Sequence, residues 1–369
     1  MIDRRLFLHV NWSLIGLTLV LFSIGIMNLY SASTLRVASG LEFDSYFHKQ
    51  LIWGSGGLCL MFAVLLVDYR HFKAISWPLF FLSLALLVGV SLAGKTIYGA
   101  KRWLDLGLFN FQPTELVKIA VLILGARLLA RMEGRLGWLN LGKALLVGLV
   151  PAALIIKQPD LGSALNIMLI LGGMILFKGM AAGVFKVLLV TVPSLLPFGW
   201  FFLHDYQKKR ILTFLDPGND PLGAGYHIIQ SQIAIGSGGF WGKGFLEGTQ
   251  SQLRFLPEKH TDFAFAVFGE EWGFFGSMAL LTLFCFFLYQ IYIVSMDAKD
   301  EFGRCLAAGV FFYFFWQILI NMGMVLGIMP VVGIPLPFLS YGGSSSVVNF
   351  CMIGLVLNVA MRRFVFKKG

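Results

Sequence analysis

The segment Pro257-Glu258-Lys259-His260-Thr261-Asp262 marks the point at which a long polar stretch of this chain gives way to an apolar one. Residues 204–262 are rich in polar residues and glycine, whereas residues 263–295 are almost entirely apolar. A helix of about 17 to 25 apolar residues spans a bilayer, so this boundary is typical of a membrane protein with one long hydrophilic loop. Such loops often carry binding and catalytic residues. The segment therefore predicts a carboxylate, Asp262, held where water meets lipid.

Composition excludes a soluble globular domain. Hydrophobic residues make up 57% of the 369 residues and charged residues only 13%, whereas charged residues approach about a quarter of a soluble domain. We predict an all-α polytopic membrane protein. Residues 1–369 form a single integral membrane domain, in which residues 204–262 are a long extracytoplasmic loop between spans seven and eight. About ten segments have the length of a membrane-spanning helix. They lie near residues 12–33, 50–67, 74–94, 115–131, 141–157, 161–178, 185–203, 263–295, 305–329 and 346–361.

The distribution of Lys and Arg predicts the orientation, because basic residues in short loops stay on the cytoplasmic side. With the N-terminus inside, more than half of the 29 basic residues fall in inner segments. Both termini are then cytoplasmic, and the long loop is outside. The formal net charge of +10 resides mostly on the inner side, where it matches anionic lipid and needs no nucleic acid. The four cysteines show no metal-ligand spacing.

Three charged residues are candidates for chemistry on the outer side. Glu115 and Lys118 lie three residues apart, on one helix face and just inside a span, where an unpaired charge is costly. They form either a mutual ion pair alone or a functional site. Asp262 is either a helix cap or a general base. Because His260, two residues away, faces a different direction on a helix, we assign the base to Asp262 alone.

Two further segments offer groups that would bind an anion. Arg102 is either an interfacial anchor or a fork for phosphate oxygens, a geometry that guanidinium fits. Ser340, Gly342 and Gly343 precede the last span. The backbone N–H groups there would cradle an anion, or the same residues simply make a turn and a cap.

The long loop and the helix starts carry weaker patterns. Apolar residues at helical spacing in residues 226–235 predict an amphipathic helix on the outer leaflet. The glycines of residues 236–244 predict a flexible segment able to fold over a ligand. Asp160 is interpreted as a helix cap, and Gln317 and Asn321 as residues that hydrogen-bond between helices.

Several of these motifs together, in the same order along most of the chain, resemble the SEDS family. The resemblance is closer to the elongation member of that family than to its division member. The motifs are Lys101-Arg102-Trp103-Leu104, Phe111-Gln112-Pro113-Thr114-Glu115, Gln158-Pro159-Asp160-Leu161-Gly162, Gly225-Tyr226-His227-Ile228-Ile229-Gln230-Ser231 and the segments 257–262 and 335–344.

The resemblance implies a ten-span peptidoglycan glycosyltransferase of the bacterial cytoplasmic (inner) membrane, acting in cell elongation. It would polymerise lipid II, the undecaprenyl-diphosphate-linked disaccharide-peptide, at the outer face. The implied partners are a class B penicillin-binding protein and other elongation-complex proteins. Asp262 matches the family's essential acidic residue, Glu115 and Lys118 its charged pair in the fourth span, and Arg102 its basic outer-loop motif.

The implied reaction needs one base and a way to neutralise the leaving group. Asp262 would take the proton from the incoming 4-hydroxyl while the anomeric carbon is attacked from the opposite face, which inverts it and gives a β-1,4 linkage. Arg102, Lys118 and Lys259, or a divalent cation such as Mg or Mn, would stabilise the departing diphosphate. The sequence shows no ligand set for such a metal.

Two other functions stay open from the sequence. A lipid II flippase or transporter would share the polytopic architecture and the intramembrane pair of Glu115 and Lys118. It needs a two-sided cavity, however, and no base such as Asp262 at one rim. A scaffold that only assembles other wall enzymes would tolerate Ala at position 262.

Overall fold

The computed structural model describes residues 10–363, except 38–39, 44–45, 98–99, 106, 108–109, 204, 221–222, 254 and 257. His204 and Pro257, at the edges of features predicted above, and both chain termini lie outside the described residues. Ten of the described helices have 18 residues or more. They are α1 (Trp12–Ser33), α2 (Tyr46–Leu66), α3 (Tyr69–Ala93), α4 (Pro113–Arg131), α5 (Trp138–Lys157), α6 (Leu161–Lys178), α7 (Ala182–Gly199), α11 (Ala264–Met296), α12 (Glu301–Val325) and α13 (Gly343–Met361).

These ten helices coincide with the ten apolar segments, and their ends differ from the predicted ones by a few residues. The prediction of an all-α polytopic membrane protein is confirmed. Eight of them are long and apolar enough to cross a membrane by length and composition. The other two fall short for different reasons. α4 carries four charged residues, among them Glu115 and Lys118, and in α7 the apolar helix is the shorter Ala182–Leu195.

The last two long helices form the centre of the bundle. In the most apolar 18-residue windows 72% of α12 and 78% of α13 is buried, against 28% in those of α3 and α11, so these stretches of α3 and α11 lie nearer the periphery. α12 packs against α4, α6 and α11, and α13 packs mainly against α2. Side chains along α7 are largely exposed, as befits a helix that faces lipid.

Caps set several helix starts. Asp160 caps α6, as predicted, because its carboxylate accepts from Ser163 N at 3.1 Å and from Ser163 Oγ at 2.9 Å. Pro113 occupies the first turn of α4, where its missing N–H costs nothing. These two starts bring the segments around residues 112 and 158 to the same end of the bundle.

Short elements connect the spans at this end. β1 (Thr34–Val37) and β2 (Gly40–Phe43) form an antiparallel hairpin between α1 and α2. A three-stranded antiparallel sheet lies between α3 and α4, and its middle strand carries Arg102. Its strands are β3 (Lys95–Ile97), β4 (Ala100–Asp105) and β5 (Asn110–Phe111).

The predicted long loop contains three further helices, α8 (Asp205–Leu215), α9 (Ala224–Gly238) and α10 (Thr249–Gln252). The helix predicted at residues 226–235 is confirmed as part of α9. Its apolar face is covered by α11 and the end of α12 rather than by a lipid leaflet. Ser231 Oγ, for example, donates to Val325 O at 2.9 Å.

Helix α11 has a kink at Gly273, whose φ of 65° lies in the left-handed region that favours glycine. Beyond the kink, the helical ladder does not continue in the usual way. Phe274 N donates instead to Gly239 O at 2.9 Å, and Phe275 N donates to Phe240 O at 3.1 Å. The loop therefore satisfies donors that the kink has released.

The carbonyls on the other side of the kink are satisfied in the same way. Glu270 O accepts from Lys243 N, and Glu271 O accepts from Gly244 N, both at 3.0 Å. Residues 239–244 are thus bound to α11 through backbone hydrogen bonds. The expectation of a flexible segment is not supported, because these bonds fix its backbone and two of its glycines, Gly238 and Gly242, closely approach the backbone of α11.

Contacts between connections define the two ends of the bundle. We call the end that holds residues 205–263 the loop end. There, Tyr341 N donates to His260 O at 2.7 Å. At the opposite end, Lys178 Nζ pairs with Glu301 Oε2 at 3.0 Å, and Arg363 pairs with Asp297. Charged residues therefore collect at both ends, with the apolar spans between them.

Candidate active site

Asp262 lies in the turn of residues 258–263 that leads into α11, at the loop end. Its backbone carbonyl accepts a hydrogen bond of 3.0 Å from Asn321 Nδ2, which also donates to Ile334 O at 2.8 Å. A Cβ atom on Gly333 would lie 3.5 Å from Asp262 Oδ2, so the carboxylate faces the segment 331–334. The sequence predicts that Asn321 hydrogen-bonds to another helix. In the structure its side chain instead connects the Asp262 turn to the segment 331–334.

The environment of Asp262 changes its acidity. Burial raises the pKa of Asp262 to about 6, the negative charge of Glu258 acts in the same direction, and the positive charge of Arg210 opposes both. The residue is half-buried and so remains reachable from the solvent side. Its carboxylate is ionised at neutral pH, yet it holds a proton more firmly than an ordinary aspartate, which suits a general base.

Arg210 is a site residue that the sequence reasoning missed. It lies on α8, where Arg210 Nη1 donates to Val331 O at 3.2 Å and to Val332 O at 3.4 Å. Arg210 therefore binds the segment 331–334 that faces Asp262, and its positive charge acts on the Asp262 carboxylate. The run Lys208-Lys209-Arg210 was the only signal in the sequence, and it does not say which cation turns inward.

Arg102 reaches from β4 to the turn before α6. Arg102 Nε donates to Gln158 O at 3.2 Å, another guanidinium nitrogen donates to Pro159 O, and Nη1 lies 4.0 Å from Asp160 Oδ1. The side chain of Arg102 is about one-third exposed, at 31%. The guanidinium is thus oriented by carbonyls while part of it still faces outward, as a phosphate ligand would need.

Glu115 and Lys118 form the predicted ion pair, with Lys118 Nζ 2.6 Å from Glu115 Oε1 and both side chains buried. Glu115 Oε2 makes no hydrogen bond within the described part of the chain. Lys118 Nζ also lies 5.9 Å from the ring centre of Tyr313 on α12. Tyr313 precedes Asn321 by eight residues, about 12 Å along a helix, so the pair lies well below the Asp262 turn.

Lys259 is turned away from solvent. It is buried, and Lys259 Nζ donates to Ser251 O at 2.7 Å. This bond joins the Asp262 turn to α10. The expectation that Lys259 binds the diphosphate of a substrate is not supported by this arrangement, and it stays a prediction.

The segment that contains Ser340, Gly342 and Gly343 packs against α2. Ser340 Oγ accepts from Leu336 N at 2.9 Å, and Gly342 N donates to Gln50 Oε1 at 3.2 Å. A Cβ atom on Gly343 would come within 2.6 Å of the indole nitrogen of Trp53, so a larger residue there would have to displace the Trp53 side chain. The turn is therefore present, Gly342 precedes α13 without a side-chain cap, and the anion cradle stays a prediction.

His260 contacts a different part of the site from Asp262. Its ring packs on that of Tyr46, with centroids 4.8 Å apart, and Tyr46 in turn contacts Tyr341 at 4.9 Å. Burial raises the pKa of Tyr341, and Tyr46 adds to that shift. His260 thus braces the turn through aromatic contacts, which agrees with assigning the base to Asp262 alone.

Metal ligands are not grouped in the part of the chain that the structure describes. No cluster of three or more His, Cys, Asp or Glu side chains there is placed to hold an ion.

The fold and the site define the class of protein. It is a polytopic helical membrane protein with a half-buried carboxylate, Asp262, and two arginines, Arg102 and Arg210, at its loop end. A family model described as FTSW_RODA_SPOVE, cell cycle protein, matches residues 11–364, and the chain belongs to this family. The resemblance drawn from the motifs is confirmed by this match.

Similar proteins support the assignment over nearly the whole length. Peptidoglycan glycosyltransferase MrdB of Escherichia coli (strain K12) is 42% identical over 344 residues, which cover 92% of each chain. A probable peptidoglycan glycosyltransferase FtsW of Trichlorobacter lovleyi is 38% identical over 374 residues, covering 97% of this chain and 95% of the relative.

Solved structures share the fold. A chain from a structure described as the structural coordination of polymerization and crosslinking by a peptidoglycan synthase complex is 30% identical. It has a TM-score of 0.82, with 96% of this chain and 98% of that chain covered. The Thermus thermophilus rod shape determining protein RodA is 27% identical with a TM-score of 0.72, and 97% and 98% of the two chains are covered.

Proposed function

We propose that this protein is a peptidoglycan glycosyltransferase that polymerises lipid II into β-1,4-linked glycan strands. Relatives from Escherichia coli and Treponema pallidum carry the name peptidoglycan glycosyltransferase. The observation that carries the proposal is the half-buried Asp262 carboxylate at the loop end, with its pKa raised to about 6 and Arg210 nearby. A base poised near neutral pH is suited to removing a proton from a sugar hydroxyl.

In the proposed reaction, Asp262 accepts the proton of the 4-hydroxyl as that oxygen attacks the anomeric carbon of the second sugar. The bond from that carbon to the diphosphate breaks, and the configuration inverts because attack and departure occur on opposite faces. The diphosphate leaves as an anion, so it needs positive charge more than a proton.

We assign that positive charge first to Arg102, whose guanidinium is oriented by Gln158 O and partly exposed. Arg210 is a second contributor, since its field already reaches Asp262. The contribution expected of Lys118 and Lys259 stays a prediction, because Glu115 and Ser251 O already bind their ammonium groups.

The setting of the reaction is also part of the proposal. We place the loop end outside the bacterial inner membrane and both termini in the cytoplasm, on the distribution of Lys and Arg. We propose a role in cell elongation, a class B penicillin-binding protein as partner and other elongation-complex proteins around them. One similar structure is described as a complex that coordinates polymerization and crosslinking. A divalent cation, Mg or Mn, would add positive charge at the departing diphosphate.

The test uses purified protein in vesicles, with and without a class B penicillin-binding protein, supplied with labelled lipid II on the outer leaflet. The products are sized on a gel. We expect polymer from the wild type and from Asp297→Asn, a control at the opposite end, and none from Asp262→Asn, which keeps the shape but cannot act as the base. The same reaction is run with a metal chelator, and a loss of polymer there would show that the reaction needs a divalent cation.

Polymer from Asp262→Asn at the wild-type rate would remove the base assignment. Wild-type protein that moves lipid II between leaflets but forms no polymer under any of these conditions would favour the flippase.

A further inference from the structure

Glu270 on α11 is a fully buried carboxylate that the proposed mechanism does not use. Its Oε1 accepts from Lys243 Nζ at 2.7 Å, from Thr249 Oγ1 at 3.1 Å and from Gln250 N at 3.0 Å. Its Oε2 accepts from Ser251 N at 3.4 Å. An ionised carboxylate is costly to bury unless it is paired and hydrogen-bonded, and this one is both.

The same residue holds the loop through its backbone, because Glu270 O accepts from Lys243 N at 3.0 Å. Lys243 is therefore bound twice to Glu270, once by its amide and once by its ammonium group. The kink at Gly273 leaves Glu270 O free of its helical partner, so that it accepts from Lys243 N. The Glu270 carboxylate in addition accepts from Gln250 N and Ser251 N of α10.

From α10 the connection continues to the Asp262 turn. Ser251 N donates to Glu270 Oε2, and Ser251 O accepts from Lys259 Nζ at 2.7 Å. Lys259 is buried and lies three residues before Asp262. Within the turn, Thr261 N donates to Glu258 O at 3.1 Å, which keeps these residues in one compact unit.

We infer that Glu270 is a positioning residue for the Asp262 turn, acting through α10 and the buried ammonium group of Lys259. Lys259 is then part of this brace rather than a ligand of the substrate diphosphate. The inference rests on the proposed function, because it concerns where the base of that reaction is held.

The physical reason lies in the cost of losing the carboxylate. In Glu270→Gln the amide oxygen remains an acceptor, but Lys243 loses the negative charge that pairs with its partly buried ammonium group, and the amide NH2 of the new side chain faces Ser251 N, which is also a donor. The relaxation available to them is a shift of α10, which carries Ser251 and therefore Lys259 with it. A displacement of about 1 Å in a catalytic group can cost about a hundredfold in rate.

The experiment measures kcat and KM for lipid II polymerisation by the full-length protein with its partner, normalised to folded protein by size-exclusion chromatography. For Glu270→Gln we expect kcat to fall about 10- to 100-fold with KM within about twofold. Glu247→Gln is the matched control, an exposed carboxylate of the same segment, and should leave both constants unchanged. Protease should cut residues 243–259 faster in Glu270→Gln than in the wild type.

A double-mutant cycle separates positioning from general damage. Lys243→Met combined with Glu270→Gln removes both charges, so its kcat should exceed the value expected if the two losses were independent. Purely additive losses would overturn the inference. If Glu270→Gln does not fold, Lys243→Met and Thr249→Val each remove one donor. Each should lower kcat to a smaller extent with KM unchanged, and an unchanged kcat in both would also overturn it.

Lys259→Met decides between a brace and a ligand. The brace predicts a fall in kcat at constant KM together with faster protease cleavage of residues 243–259, as for Glu270→Gln. A lowered kcat or a raised KM with wild-type resistance of residues 243–259 to protease would return Lys259 to the substrate site and overturn the inference. Wild-type protein without polymerising activity would instead count against the proposed function, so the two failures are distinguishable.

Discussion

At the scale of single residues, the site consists of ordinary side chains whose surroundings change their chemistry. Asp262 differs from a surface aspartate because it is partly desolvated and lies near Glu258, while Arg210 limits the shift. Arg102 differs from an interfacial anchor because two carbonyls orient its guanidinium.

The pH dependence of polymerisation should report Asp262. A base works only when deprotonated, so with a pKa of about 6 the rate should rise as the pH passes upward through that value. Because the charge of Arg210 lowers this pKa, Arg210→Met should move the midpoint to higher pH, whereas Lys208→Met on the same helix should not. Initial rates between about pH 5 and 8 test this. A midpoint near the ordinary aspartate pKa would contradict the assignment.

Substitutions at Arg102 should separate charge from geometry. Arg102→Lys keeps the charge and loses the bidentate fork, so we expect partial activity, whereas Arg102→Ala should retain little. The measurement is polymer formed from lipid II already on the outer leaflet, where flipping plays no part. Arg102→Ala protein that polymerises such lipid normally, but fails when lipid II starts on the inner leaflet, would favour transport.

At the scale of elements, neighbouring segments meet where a helix carries charged side chains or where its hydrogen-bond ladder is interrupted. α4 brings Glu115 and Lys118 against α12, with a separation of 2.6 Å between their charged groups. α11 breaks its own hydrogen-bond ladder at Gly273, and the loop completes it. In each case polar groups that would be costly within a span are satisfied by a neighbouring element.

The ion pair on α4 predicts an asymmetry between single and double substitutions. Glu115→Ala or Lys118→Ala leaves one buried charge without its partner, at a cost of about 3 to 5 kcal/mol. The exchanged pair, Glu115→Lys with Lys118→Glu, should recover much of the thermal stability and part of the activity. Melting temperature and polymer yield are measured together. An exchanged pair as inactive as either single variant would show that each residue acts on the substrate individually.

At the scale of the whole molecule, the bundle has two chemically different ends. The loop end gathers Asp262, Arg102 and Arg210, whereas the opposite end holds ion pairs such as Lys178 with Glu301. Between them, α12 and α13 form a buried axis to which the α4 ion pair and the Asp262 turn are both attached. One central helix, α12, thus contacts both the buried pair of Glu115 and Lys118, through Tyr313, and the Asp262 turn, through Asn321.

Labelling with a membrane-impermeant maleimide should show which end faces outward. In a variant with all four cysteines replaced, Glu247→Cys at the loop end should react in intact cells. Glu133→Cys, at the opposite end, should react only after permeabilisation. Retained polymerising activity is the control for correct folding. Labelling of Glu133→Cys alone in intact cells would reverse the proposed orientation.

The sequence by itself determined the class, the number and approximate bounds of the long helices, and the candidate residues Asp262, Arg102, Glu115 and Lys118. It could do so because long apolar segments must be helical in lipid, and because a pair three residues apart shares a helix face. The ion pair and the cap at Asp160 follow from such local rules, and the structure contains both.

Only the tertiary structure decided how distant segments meet. It turned Arg210 toward the site, bound Lys259 to Ser251, fastened residues 239–244 to the α11 kink and gave Glu270 its donors. These contacts join residues from separate elements, and neither periodicity nor composition specifies which faces pack together. The pKa of Asp262 depends on that packing too, since burial and neighbouring charges are properties of the assembled fold.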